Sequence, residues 1–126
     1  MSAPKVAIVG ASPDRRKFGN KSVRAHRQQG YDVYPVHPTA AEVEGLQAYP
    51  SLDELPVAQV DRVSLYVPPQ VGLTLLESIA KLAPREVWLN PGTESPELIA
   101  RAEELGLPVI QACSIVDLGV SPSQFP

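Results

Sequence analysis

Hydrophobic positions along this chain repeat with two periods that alternate from end to end. Lys5–Gly10, with Val6, Ile8 and Val9, reads as a short buried strand. Tyr31–Val36 reads as a second strand, and Val60–Val67 as a third that alternates and then becomes continuously apolar until Pro68-Pro69 stops it. Glu86–Leu89 and Pro108–Ala112 supply a fourth and a fifth. Between them the spacing turns helical. Asn20 is placed to cap a helix running to Gln29, with Gly30 as its stop. Gln70–Leu82 carries Val71, Leu75, Ile79 and Leu82 on one helical face. Ser95-Pro96-Glu97 gives a cap, a proline at the first helical position and an acid in the first turn of a helix that reaches Leu105, where Gly106 ends it. Ser51-Leu52-Asp53-Glu54 has capping-box spacing for a single turn closed by Pro56. Thr39–Pro50 reads mostly as loop, and Ile115–Pro126 carries little periodic signal.

Five strands alternating with helical segments call for an α/β architecture. The expected form is a Rossmann-like three-layer fold, with a five-stranded parallel sheet and helices on both faces. Such sheets bind ligands outside the carboxyl ends of their strands. No internal repeat or linker divides residues 1–126, so a single domain is expected. The chain is 44% hydrophobic and 20% charged, ordinary for a globular protein. No apolar run approaches the ~20 residues that span a bilayer, and the first residues lack a secretory signal layout. A lone cysteine, Cys113, excludes an intramolecular disulfide framework. These features together predict a cytoplasmic protein with no membrane partner.

Charge sharpens the picture at one place. Net charge is −3, which gives no general attraction to nucleic acid. Yet Asp14 to Arg27 holds six cations (Arg15, Arg16, Lys17, Lys21, Arg24 and Arg27) against one anion. This basic stretch directly follows the first strand and the small-residue turn Gly10-Ala11-Ser12. A tight turn lets the backbone approach a phosphate, and a following helix N-terminus offers free N–H groups. The plain alternative is a solvated basic helix face. The turn is not a standard dinucleotide fingerprint, because only Gly10 and Gly19 are present. Nor does an acid close the second strand, which ends Tyr34-Pro35-Val36-His37-Pro38, whereas NAD sites place one there to hold the ribose. The cations favour a more heavily phosphorylated ligand, and coenzyme A, with its diphosphate and 3′-phosphate, meets that demand better than NADP.

These residues resemble those of stand-alone CoA-binding proteins related to the CoA-binding domain of the succinyl-CoA synthetase α subunit. The resemblance covers nearly the whole chain. It rests on Val9-Gly10-Ala11-Ser12 with the basic loop to Lys17, on Val36-His37-Pro38, and on the stretch from Gly45 through Tyr49-Pro50-Ser51-Leu52 to Leu55-Pro56. Val67-Pro68-Pro69 and Val87-Trp88-Leu89-Asn90-Pro91-Gly92 complete it. It implies coenzyme A as the cofactor. Gly10, Ala11 and Ser12 would lie under the pyrophosphate. Arg16 and Lys17, with Arg15 as a third, would pair with phosphates. Val36, His37 and Pro38 would flank the adenosine, Val67, Pro68 and Pro69 would form a second wall, and Asn90, Pro91 and Gly92 would border the pantetheine arm.

No catalytic or metal-binding constellation emerges. The synthetase α subunit carries a phosphorylated histidine in a second domain, and neither His26 nor His37 matches that position. His37 reads as a ligand contact or as a plain strand-end residue. His26 reads as a surface or boundary helix residue. Cys113 reads as a small buried hydrophobe, with a mixed disulfide to the CoA thiol as the alternative. Trp88 reads as core, and Tyr49 as either an adenine stack or loop packing. The expectation is a non-catalytic module that binds coenzyme A or acyl-CoA and serves as a sensor or carrier. An NAD(P)-dependent oxidoreductase or regulatory fragment is one alternative, and an interaction protein with a vestigial pocket is another. A protein partner or a homo-oligomer is left open.

Overall fold

The computed structural model describes residues 3–126. Five parallel strands form the sheet: β1 (Lys5–Val9), β2 (Asp32–Val36), β5 (Arg62–Leu65), β6 (Glu86–Leu89) and β7 (Val109–Ile110), in the order β2-β1-β5-β6-β7. The order reverses beside β1, so the crevice where chain direction diverges lies at its carboxyl end. A small antiparallel hairpin, β3 (Glu42–Val43) and β4 (Leu46–Gln47), rises from the stretch read as loop. Its turn holds Glu44 and Gly45, both with positive φ.

Four helices cover the sheet: α1 (Phe18–Gln28), α2 (Pro69–Lys81), α3 (Pro96–Glu104) and α4 (Ser114–Asp117). Side-chain alternation along the strands sorts them into two layers. Ala7, Val9, Val63, Leu65, Val87 and Leu89 pack with Leu76, Ile79, Leu98 and Ala102 of α2 and α3. The opposite residues, Val6 and Ile8, meet Val23 of α1. Ala25 of α1 packs with Ile115 of α4 and Phe125. The three-layer α/β fold with helices on both faces is therefore present.

Local differences from the sequence reading have physical causes. Helix α1 begins at Phe18, not after Asn20, and its cap position Lys17 uses no side chain. Asn20 lies buried inside the helix, where its side-chain amide reaches back to the Ser12 carbonyl (2.8 Å) and to Glu44 (3.1 Å). Leu52–Glu54 forms one 3-10 turn whose cap Ser51 bonds the Glu54 carboxylate instead of the backbone. Ser95 does cap α3, accepting from the Leu98 amide. The tail, which lacked periodicity, folds as α4 and a 3-10 turn at Pro122–Gln124 with a Ser121 capping box. No helix among the described residues is long and apolar enough to cross a membrane.

Candidate functional site

An open cleft of roughly 640 Å³ lies over the carboxyl ends of β1, β5 and β6. Its floor is made where α1 meets the β1 turn. Gly10 has φ +88°, and a Cβ there would sit 2.7 Å from the Tyr66 carbonyl oxygen. Gly19 is more constrained, because its Cβ would come within 2.1 Å of the Gly10 carbonyl oxygen. The pair lets α1 start directly against the strand end, which is the packing role of the last glycine in dinucleotide fingerprints. Gly19, counted in the sequence as a departure from that fingerprint, does the same work at a longer spacing. The first amides of α1 have no intrahelical acceptor and carry the positive end of the helix dipole. They open onto the cleft, where Lys17, Phe18 and Gly19 are lining residues.

Of the residues singled out from sequence, the cleft gathers Gly10, Ala11, Ser12, Lys17, His37, Pro38, Val67, Pro68, Pro69, Pro91 and Gly92. It does not gather four others. Val36 is buried beneath the cleft. Asn90 is buried as well, donating to Ser64 Oγ and the Leu65 carbonyl (both 2.8 Å) and accepting from the Ser114 amide. Arg15 turns to Glu44 at 3.5 Å. Arg16 turns to Asp14 at 2.9 Å, and that bond holds the Asp14 carboxyl down to about 2. Both arginines sit on exposed side chains, so these pairs are weak.

The remaining cations of the basic stretch are also engaged. Arg24 binds Asn20 Oδ1, the Arg15 carbonyl and the Phe125 and Pro126 carbonyls. Arg27 donates to the Glu44 carbonyl, and Lys21 lies over the Phe18 ring. The cationic run therefore holds its own loop in shape, and Lys17 is the member placed in the cleft wall.

Phe18, Gly19, Tyr66 and Thr93 line the cleft without having been singled out as ligand contacts. Each sits one or two positions from a residue that was, so the motif edges were drawn too narrowly. Tyr66 also roofs a polar network: its hydroxyl meets Ser114 Oγ (3.1 Å), which meets Ser64 Oγ (2.7 Å). Burial pushes the Tyr66 phenol up, so it stays a hydrogen-bonding hydroxyl. Cys113 is half-buried against Ala25, Ile115 and Phe125 and is not a lining residue. Tyr49 packs into the aliphatic core beside Tyr34, with ring centroids 6.4 Å apart.

His26 corrects an expectation. It is fully buried, not at a surface or boundary. Its Nδ1 lies 2.9 Å from the Ser22 carbonyl and its Nε2 lies 3.3 Å from Arg62. Burial, opposed by the Ser22 bond, lowers its pKa to about 4.

An α/β sheet with a glycine-floored turn, a helix N-terminus and a lysine at the strand-order reversal defines a class: proteins that hold a phosphorylated nucleotide-containing ligand. Comparison with known proteins narrows the class. Residues 4–119 match the CoA binding domain family, and the chain belongs to it. The α subunit of acetate–CoA ligase [ADP-forming] II from Pyrococcus furiosus is 33% identical, over 83% of this chain and 25% of the relative. Acetate–CoA ligase [ADP-forming] I from Archaeoglobus fulgidus is 35% identical, over 67% of this chain and 11% of the relative. This chain thus spans a quarter or less of those enzymes. Among solved structures, a conserved hypothetical protein from Pyrococcus furiosus superposes with TM-score 0.81 at 35% identity, covering 90% of this chain and 98% of the other. The dinucleotide forming acetyl-coenzyme A synthetase 1 of Ca. Korarchaeum cryptofilum superposes with TM-score 0.73 at 30% identity, over 88% of this chain and 26% of that enzyme.

Proposed function

We propose that the cleft holds coenzyme A or an acyl-CoA, with the diphosphate over the β1 turn. The observation that carries this reading is the junction of Gly10 and Gly19. It brings bare backbone, the Ser12 side chain, the first amides of α1 and Lys17 to one wall of an open cleft. Backbone N–H groups and one mobile ammonium are the donor set a diphosphate takes. Pro68 and Pro69 face Pro91 and Gly92 across the carboxyl ends of β5 and β6, and they give the pantetheine arm apolar walls. Arg15 and Arg16, on weak exposed pairs, join the phosphates only by leaving Glu44 and Asp14.

The protein acts in this reading as a binding, sensing or carrying module. Thr93 and Tyr66 hold their hydroxyls in bonds within the fold, whereas Ser12 Oγ only accepts one. Ser12 Oγ accepts from the Asp14 amide, Thr93 donates to the Asn90 carbonyl, and Tyr66 bonds Ser114. None has a base within a hydrogen bond to activate it, which nucleophilic catalysis requires. Isothermal titration with CoA, dephospho-CoA and NADPH tests the proposal. Saturable CoA binding that Lys17→Ala weakens about tenfold is expected, the loss of one charged hydrogen bond. Absence of CoA binding, or tighter binding of NADPH, overturns it.

A further inference from the structure

One guanidinium joins the basic loop to the C-terminal tail. Arg24 Nε donates to Asn20 Oδ1 at 2.7 Å, and Asn20 Nδ2 donates to the Ser12 carbonyl at 2.8 Å. Arg24 Nη2 donates to the Arg15 carbonyl at 2.8 Å. The same guanidinium donates to the Phe125 and Pro126 carbonyls, both at 3.1 Å, and lies 5.9 Å from the Phe125 ring centroid. The tail it holds is a docked element. Phe125 is buried against Ala25 of α1 and Ile115 of α4, and the Gln124 and Phe125 amides bond the Ser121 and Pro122 carbonyls. Arg24, Phe125 and Pro126 are not lining residues of the cleft.

We infer that the tail docks more firmly when the cleft is occupied, so that Arg24 couples ligand binding to the C-terminal segment. The inference rests on the CoA reading above and adds an output to it. A phosphate held over the β1 turn and the first amides of α1 restricts the loop from Ser12 to Lys17. The Arg15 carbonyl belongs to that loop, and the Ser12 carbonyl begins it. Fixing these two acceptors orders Arg24 on its loop side before the tail arrives. An event that finds its partner already ordered costs less conformational entropy, which makes the coupling positive. Linkage makes it reciprocal: the docked tail tightens ligand binding by the factor with which the ligand tightens the tail. A second route joins α4 to the cleft floor, through Ser114, Asn90 and Tyr66. That network does not include Arg24, so a change at Arg24 separates the two routes.

Amide exchange on the full chain, with and without CoA, tests it. In the wild-type protein CoA should slow exchange at Gln124 and Phe125 about fivefold, at the low end of couplings between distinct sites. Arg24→Gln should abolish that slowing while the protein still binds CoA. Phe125→Ala, a change outside the cleft, should weaken CoA binding by a similar factor in isothermal titration. Unchanged exchange in the CoA-bound wild type, slowing that survives Arg24→Gln, or full CoA affinity in Phe125→Ala would each overturn the coupling while leaving CoA binding intact. If Arg24→Gln does not fold, the wild-type exchange and Phe125→Ala decide it. Failure of the wild-type protein to bind CoA at all would instead remove the reading on which the inference rests, and the inference with it.

Discussion

The two faces of the sheet are built from different materials. The face under α2 and α3 is aliphatic: Val63, Leu65, Val87 and Leu89 meet Leu76, Ile79 and Leu98. The face under α1 and α4 buries polar groups from the same strands. Arg62 lies between the rings of Tyr31 and Trp88, at 5.4 and 4.8 Å, and bonds Glu86, Asp117 and His26. Higher on that face, Ser64, Tyr66, Asn90 and Ser114 form the network beneath the cleft. No buried side-chain N or O among the described residues lacks a partner. A fully satisfied network fixes one arrangement, because any slip leaves a desolvated group unpaired. The aliphatic face supplies non-directional cohesion, while the polar face supplies position, and the cleft stands on the polar one.

The comparison can be broken at several points, from the largest effect down. Gly19→Ala puts a methyl group against the Gly10 backbone, where nothing flexible can yield, at the point where α1 meets the sheet. Denaturant titration should show a loss of about 4 kcal/mol or more, or no folded protein. An unchanged midpoint would mean that the close approach is not required. On the aliphatic face, Leu98→Ala should cost about 3–4 kcal/mol through cavity formation. That cost should be the same at pH 7 and pH 5.

The polar face should respond to acid. His26 is uncharged when folded, with a pKa of about 4 against an ordinary 6.5. Between those values the unfolded chain takes up a proton that the folded chain refuses. Stability is therefore whole above pH 6.5 and falls as pH drops toward 4, by about 3 kcal/mol in total. Urea midpoints measured across that range should show the slope in wild type and lose most of it in His26→Gln. A flat wild-type profile would show that His26 is not held neutral.

Arg62→Leu removes the cation from its two carboxylates and two rings. Glu86 and Asp117 are 39% and 43% exposed and can rehydrate, so the cost should be about 2 kcal/mol, below that of a fully buried pair. Ser114→Ala, the mildest change, leaves the Ser64 and Tyr66 hydroxyls short of one partner at about 1 kcal/mol. It should loosen the cleft floor, read as faster amide exchange at Tyr66. Protection equal to wild type would show that the network does not stiffen the floor.

The same contrast explains what was legible in the sequence. Helices α2 and α3 and strands β1 and β6 were readable to within a residue or two, because aliphatic burial leaves a period in the chain. The polar face leaves none. His26, Arg62 and Ser114 look like surface residues by type, yet each is buried. α4 and the Ser121 turn lie in the stretch that showed no pattern. The hairpin at Glu42–Gln47 was hidden because each strand is two residues long. Of the residues that the resemblance assigned to the site, the cleft gathers the turn Gly10-Ala11-Ser12, Lys17, His37 and the proline walls. The roles of Arg15, Arg16 and Asn90 were not legible, because each depends on a neighbour distant in sequence or on a local turn.

By itself the sequence determined the layers, the parallel sheet and the end of it where the cleft lies. Those follow from periodicity and from turn chemistry, which act over a few residues. The tertiary structure alone decided which cation of the basic stretch lines the cleft and which glycine takes the packing role of the missing fingerprint. Each of those outcomes is a competition among partners brought together by folding, and a linear pattern does not record who wins it.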